Sequence, residues 1–197
     1  MRQDFKDAPK FGNNHDYADE LFGKAVYDVT EIGRQIKDLR NEPAGFINGL
    51  VVTHMYHLAP YTGALPNGRK RGDALCDGGI NPHAEFDTGG PWDRMASALK
   101  IDQSQFKAWI YNQKFDYNTV AGESGLNKMI DYTLSGLEGG MDQLQYNLIS
   151  REVLTDAKTS PEKYPFLAVR ISGYSAYFTS LPEYVQDAVI NRVDHEL

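Results

Sequence analysis

The sequence predicts an α/β fold, and three observations carry that prediction. Strand-like runs alternate with helical patterns along the chain, the order expected of an α/β layer or barrel. The helical stretches are amphipathic, and glycine or proline punctuates their ends. The 197 residues are 41% hydrophobic and 24% charged, a globular composition with enough chain for a core.

The elements follow in chain order. Residues 15–39 have a helical pattern, with Leu21, Ala25, Val29, Ile32, Ile36 and Leu39 forming one apolar stripe. "LVVTHMYHL", 50–58, is β-branched and aromatic and reads as a strand. Residues 61–91 are dense in glycine and proline and lack periodicity, which marks a functional or disordered stretch. A helix is expected over 122–138, with Leu126, Met129, Ile130, Leu134 and Leu137 on one side and Gly139-Gly140 as its stop. "DQLQYNLI", 142–149, alternates Leu144, Tyr146 and Leu148 as a strand does. A short helix follows in "REVLTDAKTSPEK", ended near Pro161. "FLAVRI", 166–171, is apolar enough for a strand buried on both faces. In the last helix Ser180 is the expected cap, Glu183 its capping-box partner and Pro182 a first-turn residue. Val185, Val189 and Val193 mark the inner face.

Composition excludes several classes. The net charge of −7 argues against general nucleic-acid binding. The one basic cluster, Arg69-Lys70-Arg71, follows the turn signal Pro66-Asn67-Gly68 and reads as a solvated turn with exposed charges. A single cysteine, Cys76, rules out a disulfide framework within the chain and fits a reducing compartment. The N-terminal residues hold no apolar run of signal-peptide length, and no run approaches the about 20 residues that cross a bilayer. The expectation is a soluble cytoplasmic protein. No internal repeat, nucleophile elbow, dinucleotide fingerprint or phosphate loop is present. His54 and His57 are three apart, but a strand would place them on opposite faces, so no metal site is expected. His15, His83 and His195 show no ligand spacing.

Gly173 lies between the expected strand 166–171 and the last helix. By itself, Ser-Gly-Tyr reads as a turn that needs a positive φ. Its wider context, "AVRISGYSAYFTSLPEYVQDAVINR", resembles the C-terminal signature of the glycyl radical enzymes, the pyruvate formate-lyase superfamily. The residues that carry the resemblance are Arg170, Ile171-Ser172, Gly173-Tyr174-Ser175-Ala176, Phe178, Leu181, Gln186 and Arg192. "APKFGNNHDYADEL", "TGALPNGRKRGDALCDGGINP", "NQKF", "LQYN" and "PEKYPFLAVR" match further landmarks in order, so about residues 8–197 are covered.

The resemblance implies the C-terminal portion of a ten-stranded α/β barrel, with a glycine loop and a C-terminal helix. Residues 1–78 would be barrel material and 79–197 the glycine radical domain. It also implies a catalytic radical on Gly173, installed after translation by a radical S-adenosylmethionine activating enzyme. That partner, not this chain, would hold the iron–sulfur cluster. Such a radical is planar and spreads its spin over both flanking peptide groups, and a side chain would crowd it. Packing among Tyr174, Tyr177 and Phe178 would shield it from water and oxygen. In the family the stored radical takes hydrogen from a cysteine, whose thiyl attacks a small-molecule substrate. Cys76 does not match that cysteine's position, and a small buried thiol in a tight turn is the expectation for it.

A second chain, or a missing N-terminal part, would therefore supply the cysteine loop and the rest of the barrel. A split-enzyme subunit, a spare part for an oxygen-cleaved enzyme and a truncated reading frame remain open, as does an inactive binding module. The reaction would be a lyase or acyltransferase type of anaerobic metabolism. Residues 89–103 depart from the Asn-Gly-Pro-Thr-Ala pattern associated with diol dehydratases, so the substrate stays unassigned.

Overall fold

A computed structural model describes residues 2–42, 54–76, 78–83, 86–106, 108–192 and 194–196. Its helices are α1 (Arg2–Asp7), α2 (Asp16–Gln35), α3 (His54–His57), α4 (Pro91–Leu99), α5 (Tyr117–Val120), α6 (Gly122–Glu138), α7 (Arg151–Thr159) and α8 (Glu183–Ile190). Its strands are β1 (Tyr111–Lys114), β2 (Leu144–Asn147), β3 (Ala168–Arg170) and β4 (Ser175–Tyr177). β1 and β2 pair in parallel, Tyr111 opposite Leu144 and Lys114 opposite Asn147. β3 and β4 form an antiparallel hairpin, Ala168 opposite Tyr177 and Arg170 opposite Ser175. The fold is α/β.

Two apolar clusters flank the β1–β2 sheet. One gathers Ile80, Met95, Phe106, Trp109, Tyr111, Phe115 and Tyr132, with Leu144 and Tyr146 packed against it. The other gathers Met55, Leu154, Val169, Ile171, Phe178, Val185 and Val189. Because strand side chains alternate, the sheet turns Asn112, Lys114, Gln145 and Asn147 the other way, and all four are buried. Burial of amides and an ammonium is tolerable only with partners. Much of the site is built from those partners.

The expected helix 122–138 forms as α6, with Gly139-Gly140 closing it: Gly140 has φ +106° and its N–H bonds the Leu137 carbonyl at 3.1 Å. The helix expected over 15–39 forms as α2 but ends at Gln35, so Ile36 and Leu39 fall beyond it. Their predicted aliphatic stripes, however, face outward. Leu21, Val29, Ile32 and Ile36 are more than half exposed, and Leu126, Ile130, Leu134 and Leu137 about half. The inward faces use smaller or polar residues. Gly23, Thr30 and Asp19 are buried on α2, beside partly buried Phe22, Val26 and Tyr27. Gly125, Tyr132 and Gly136 are buried on α6. A Cβ on Gly136 would stand 2.9 Å from Leu144 Cδ2 and 3.0 Å from Met95 Cε, so the glycine lets those two side-chain ends pack close to the helix.

Several expectations are corrected. Of the strand predicted over 50–58, residues 50–53 lie outside the described residues. Residues 54–57 form a helical turn in which Leu58 N–H bonds the His54 carbonyl at 2.8 Å. Adjacent Met55 and Tyr56 are both buried, which a strand facing one core cannot arrange. The strand predicted over 166–171 shortens to β3 and is buried on one face only, with Phe166 80% exposed. Ser180 does not cap the last helix. Its hydroxyl donates to the Tyr177 carbonyl at 2.7 Å inside a separate turn, and α8 begins after Pro182 without a side-chain cap. Val185 and Val189 do face inward, while Val193 lies outside the described residues.

Within the glycine-rich stretch, the chain up to Ala74 is gathered around a buried arginine rather than a solvated one. Lys70 and Arg71 are exposed, but Arg69 is buried. Its guanidinium donates to the carbonyls of Ala59 (3.3 Å), Thr62 (3.3 Å), Gly63 (3.0 Å), Ala74 (3.3 Å) and Asp73. A planar fork with five donors suits such convergence, where a lysine would reach fewer acceptors. Among the described residues no helix is long and apolar enough to cross a membrane.

Candidate functional site: the glycine hairpin

Gly173 sits at the tip of the β3–β4 hairpin, not between a strand and a helix. Ile171-Ser172-Gly173-Tyr174 makes the turn, closed by Ile171 N–H on the Tyr174 carbonyl at 2.9 Å. Gly173 has φ +74°, in the left-handed region that disfavours any side chain. An added Cβ would stand 2.9 Å from Ile110 Cδ1, with no other atom of the described residues beyond its chain neighbours within 4 Å. Ile171 and Ser172 are fully buried, whereas Gly173 is exposed.

The expected aromatic shield is therefore corrected. Only Phe178 is buried, as part of the second cluster. Tyr177 is half exposed and meets Phe166 edge-on at 6.0 Å between ring centres. Tyr174 is half-buried; burial pushes its phenol up, opposed by the nearby positive charge of Arg192. Tyr174 lies in the turn, Tyr177 ends β4 and Phe178 begins the next turn, so the three rings leave the backbone at different points and do not enclose Gly173, which is exposed.

The hairpin is held from one side. Asn147 pairs with Arg170 as a neighbouring strand would, accepting its N–H at 2.8 Å and donating to its carbonyl at 2.8 Å. Arg192 donates to the carbonyls of Arg170 at 2.8 Å and Ile171 at 2.6 Å. Asn112 adds a donor to the Ile171 carbonyl at 3.2 Å. The Arg170 side chain reaches back to Gln145. Gln186 donates to the carbonyls of Phe178 (3.1 Å) and Leu181 (3.0 Å), fixing the turn into α8. Of the polar residues of the predicted signature, Gln186 and Arg192 thus donate to main chain of the hairpin and the turn that follows it, while the Arg170 side chain reaches the side chains of Gln145 and Ser175. Asn112, Asn147 and Gln145 were visible only as parts of short landmarks, and sequence reasoning gave them no role.

Ile110, which touches Gly173, is itself fixed by the "DGGINP" segment. Gly79 has φ +100°, and a Cβ there would lie 2.0 Å from the Ile110 carbonyl oxygen. That oxygen accepts from Ile80 N–H at 3.0 Å and Asn81 Nδ2 at 3.1 Å. Asn81 Oδ1 accepts from Asn112 N–H at 2.8 Å and from Arg94 at 2.9 Å. Arg94 pairs with buried Asp87 at 2.7 Å, and Asp87 with His195 at 3.0 Å. Burial works against the Asp87 charge, but the His195 hydrogen bond and the Arg94 and His195 charges outweigh it and hold its carboxyl below the usual range. Lys114 meets Asp194 at 2.8 Å; its burial nevertheless lowers its pKa. A cleft of about 470 Å³ opens behind the clamp, lined by Asn112, Asn147, Arg192, Arg94, Asp87 and His83 among others.

Cys76 is exposed rather than buried. It lies just before the Gly78-Gly79 turn. His54 and His57 are exposed on their helical turn. Among the described residues no group of three or more His, Cys, Asp or Glu could hold a metal ion.

An exposed glycine on an immobilised, left-handed hairpin within an α/β fold defines the class: a glycine-loop domain. The glycine radical family matches residues 76–179, more than half of the chain, and the pyruvate formate lyase-like family matches residues 1–51. The chain belongs to the glycyl radical enzyme family. It is 31% identical to indoleacetate decarboxylase of Tractidigestivibacter scatoligenes over its whole length, which is 22% of that protein. It is 33% identical to the 4-hydroxyphenylacetate decarboxylase glycyl radical subunit of Clostridioides difficile, covering 96% of this chain and 21% of that one. The structure of the B12-independent glycerol dehydratase from Clostridium butyricum superposes with a TM-score of 0.94 at 30% identity, covering 100% of this chain and 25% of that one. The chain thus spans a fifth to a quarter of the length of these relatives.

Proposed function

We propose that this chain is the radical-bearing C-terminal portion of a glycyl radical enzyme, with the unpaired electron stored on the α-carbon of Gly173. The observation that carries the reading is the tip itself: an unsubstituted, exposed α-carbon whose preceding peptides are pinned by Asn112, Asn147 and Arg192. A radical S-adenosylmethionine activating enzyme removes one hydrogen atom from that carbon. In turnover the carbon takes a hydrogen atom from a cysteine thiol, restoring the C–H bond and leaving the sulfur radical to act on substrate.

The thiol comes from another chain or a missing N-terminal portion. A Cβ at Gly173 would meet Ile110 Cδ1 and, among the described residues beyond its chain neighbours, no other atom within 4 Å, and the relatives are four to five times longer. Outward aliphatic faces on α2 and α6 support a partner that completes the barrel. Residues 1–78 are assigned to barrel material and 79–197 to the glycine domain. The decarboxylase and dehydratase relatives favour lyase chemistry on a small molecule. The test is anaerobic incubation with a competent activating enzyme and electron paramagnetic resonance. A doublet that vanishes in Gly173→Ala is expected, followed by cleavage near residue 173 on admitting air. A diamagnetic sample after activation would refute the proposal.

A further inference from the structure

We infer that Arg192, acting with Asn147, is a positioning residue that sets where the Gly173 α-carbon stands. Its place in the reaction rests on the radical reading of Gly173; its mechanical part does not.

The clamp on the hairpin is asymmetric. Four side-chain donors reach two consecutive carbonyls, Arg170 and Ile171, and each oxygen accepts two. Asn147 also takes the Arg170 N–H. All of these act on the β3 limb. The β4 limb, Ser175–Tyr177, is tied by its ladder to β3 and exposes Ser175 and Tyr177, with Ala176 partly buried against the second cluster. The tip is therefore located by the limb that precedes Gly173. Fixing the Ile171 carbonyl fixes the Ile171–Ser172 peptide plane, leaving only the two Ser172 torsions between clamp and α-carbon. Arg192 is the member that bridges both carbonyls, and its fork fits two acceptors one residue apart. It lies beyond the end of α8, so it also joins the hairpin to the C-terminal segment whose His195 binds Asp87. Hydrogen atom transfer falls steeply with distance, so a tip free to drift by about 1 Å loses rate without unfolding.

The experiment uses the full chain with Arg192→Met, Arg192→Lys and Asn147→Ala. Lys158→Met, which removes a surface pairing between α7 and α8, is the control. Hydrogen exchange of the Arg170 and Ile171 amides is read first, without activation. These amides should exchange at least about tenfold faster in Arg192→Met and Asn147→Ala, while β1 and α6 amides stay unchanged. Lysine should restore part of the protection, and the control should leave both amides as in wild type. Spin yield after activation is read second and should fall in the same order. Unchanged exchange at 170–171, or an equal rise across β1, α6 and the loop, overturns the inference. If exchange follows this pattern but the wild type gives no radical, the clamp stands and the radical reading falls.

Discussion

Two glycines approach Ile110, Gly79 its main chain and Gly173 its side chain, and replacing each with alanine separates chemistry from packing. At Gly173 the new Cβ faces 2.9 Å of contact with Ile110 Cδ1, the mobile end of a side chain. The φ of +74° adds left-handed strain of about 1–2 kcal/mol. Rotating Ile110 aside costs about 0.5–1.5 kcal/mol. The total of about 2 kcal/mol corresponds to a fall in Tm of roughly 4–8 °C in a chain of this size. At Gly79 the Cβ would meet the Ile110 carbonyl oxygen at 2.0 Å, and that oxygen is held by Ile80 and Asn81. Main chain cannot rotate away, so the loss should exceed about 4 kcal/mol. Circular dichroism melting should show a folded Gly173→Ala and a Gly79→Ala that is unfolded or barely folded. After anaerobic activation the first should give no doublet despite its fold. Equal destabilisation by the two substitutions, or a doublet surviving in Gly173→Ala, would refute the reasoning.

Three further outcomes are expected. Asp87→Asn leaves Arg94 buried without its counter-charge and should cost about 3–5 kcal/mol. Because the folded carboxyl is held below its unfolded value of about 3.9, its contribution is whole above that pH and lost as pH falls through the folded value. Melting scans from pH 6 to 2 should lose part of their acid slope in the variant, and parallel curves would contradict this. Arg69→Met removes the donors that gather five carbonyls, so limited proteolysis should cut within residues 59–75 at protease levels that spare the wild type. Resistance equal to wild type would show that the loop holds without the guanidinium. Ile32→Lys combined with Ile130→Glu, on the exposed stripes of α2 and α6, should reduce self-association in size-exclusion runs and shift stability by less than about 0.5 kcal/mol. A large stability loss would place those side chains in a core.

Periodicity located α2 and α6 because a helical repeat is local, but it could not say which stripe this chain covers. Each helix has a second, less hydrophobic face built around Gly23, Thr30, Gly125 and Gly136, and that face packs inward because small residues permit close approach. The "LQYN" strand was legible from alternation, while its partner β1 was not, since Asn112, Gln113 and Lys114 look polar and yet are buried. Gly173 stood out through its flanking motif. The hairpin around it did not, because a short exposed β4 carries little apolar pattern. Arg69 reads as a solvated charge until the carbonyls around it are seen in space.

The hairpin and the two-stranded sheet share no main-chain ladder. Their union is written in a handful of amide and guanidinium groups, each replaceable one codon at a time. Selection can therefore retune how firmly the glycine arm is seated while leaving the backbone pairing of both sheets intact.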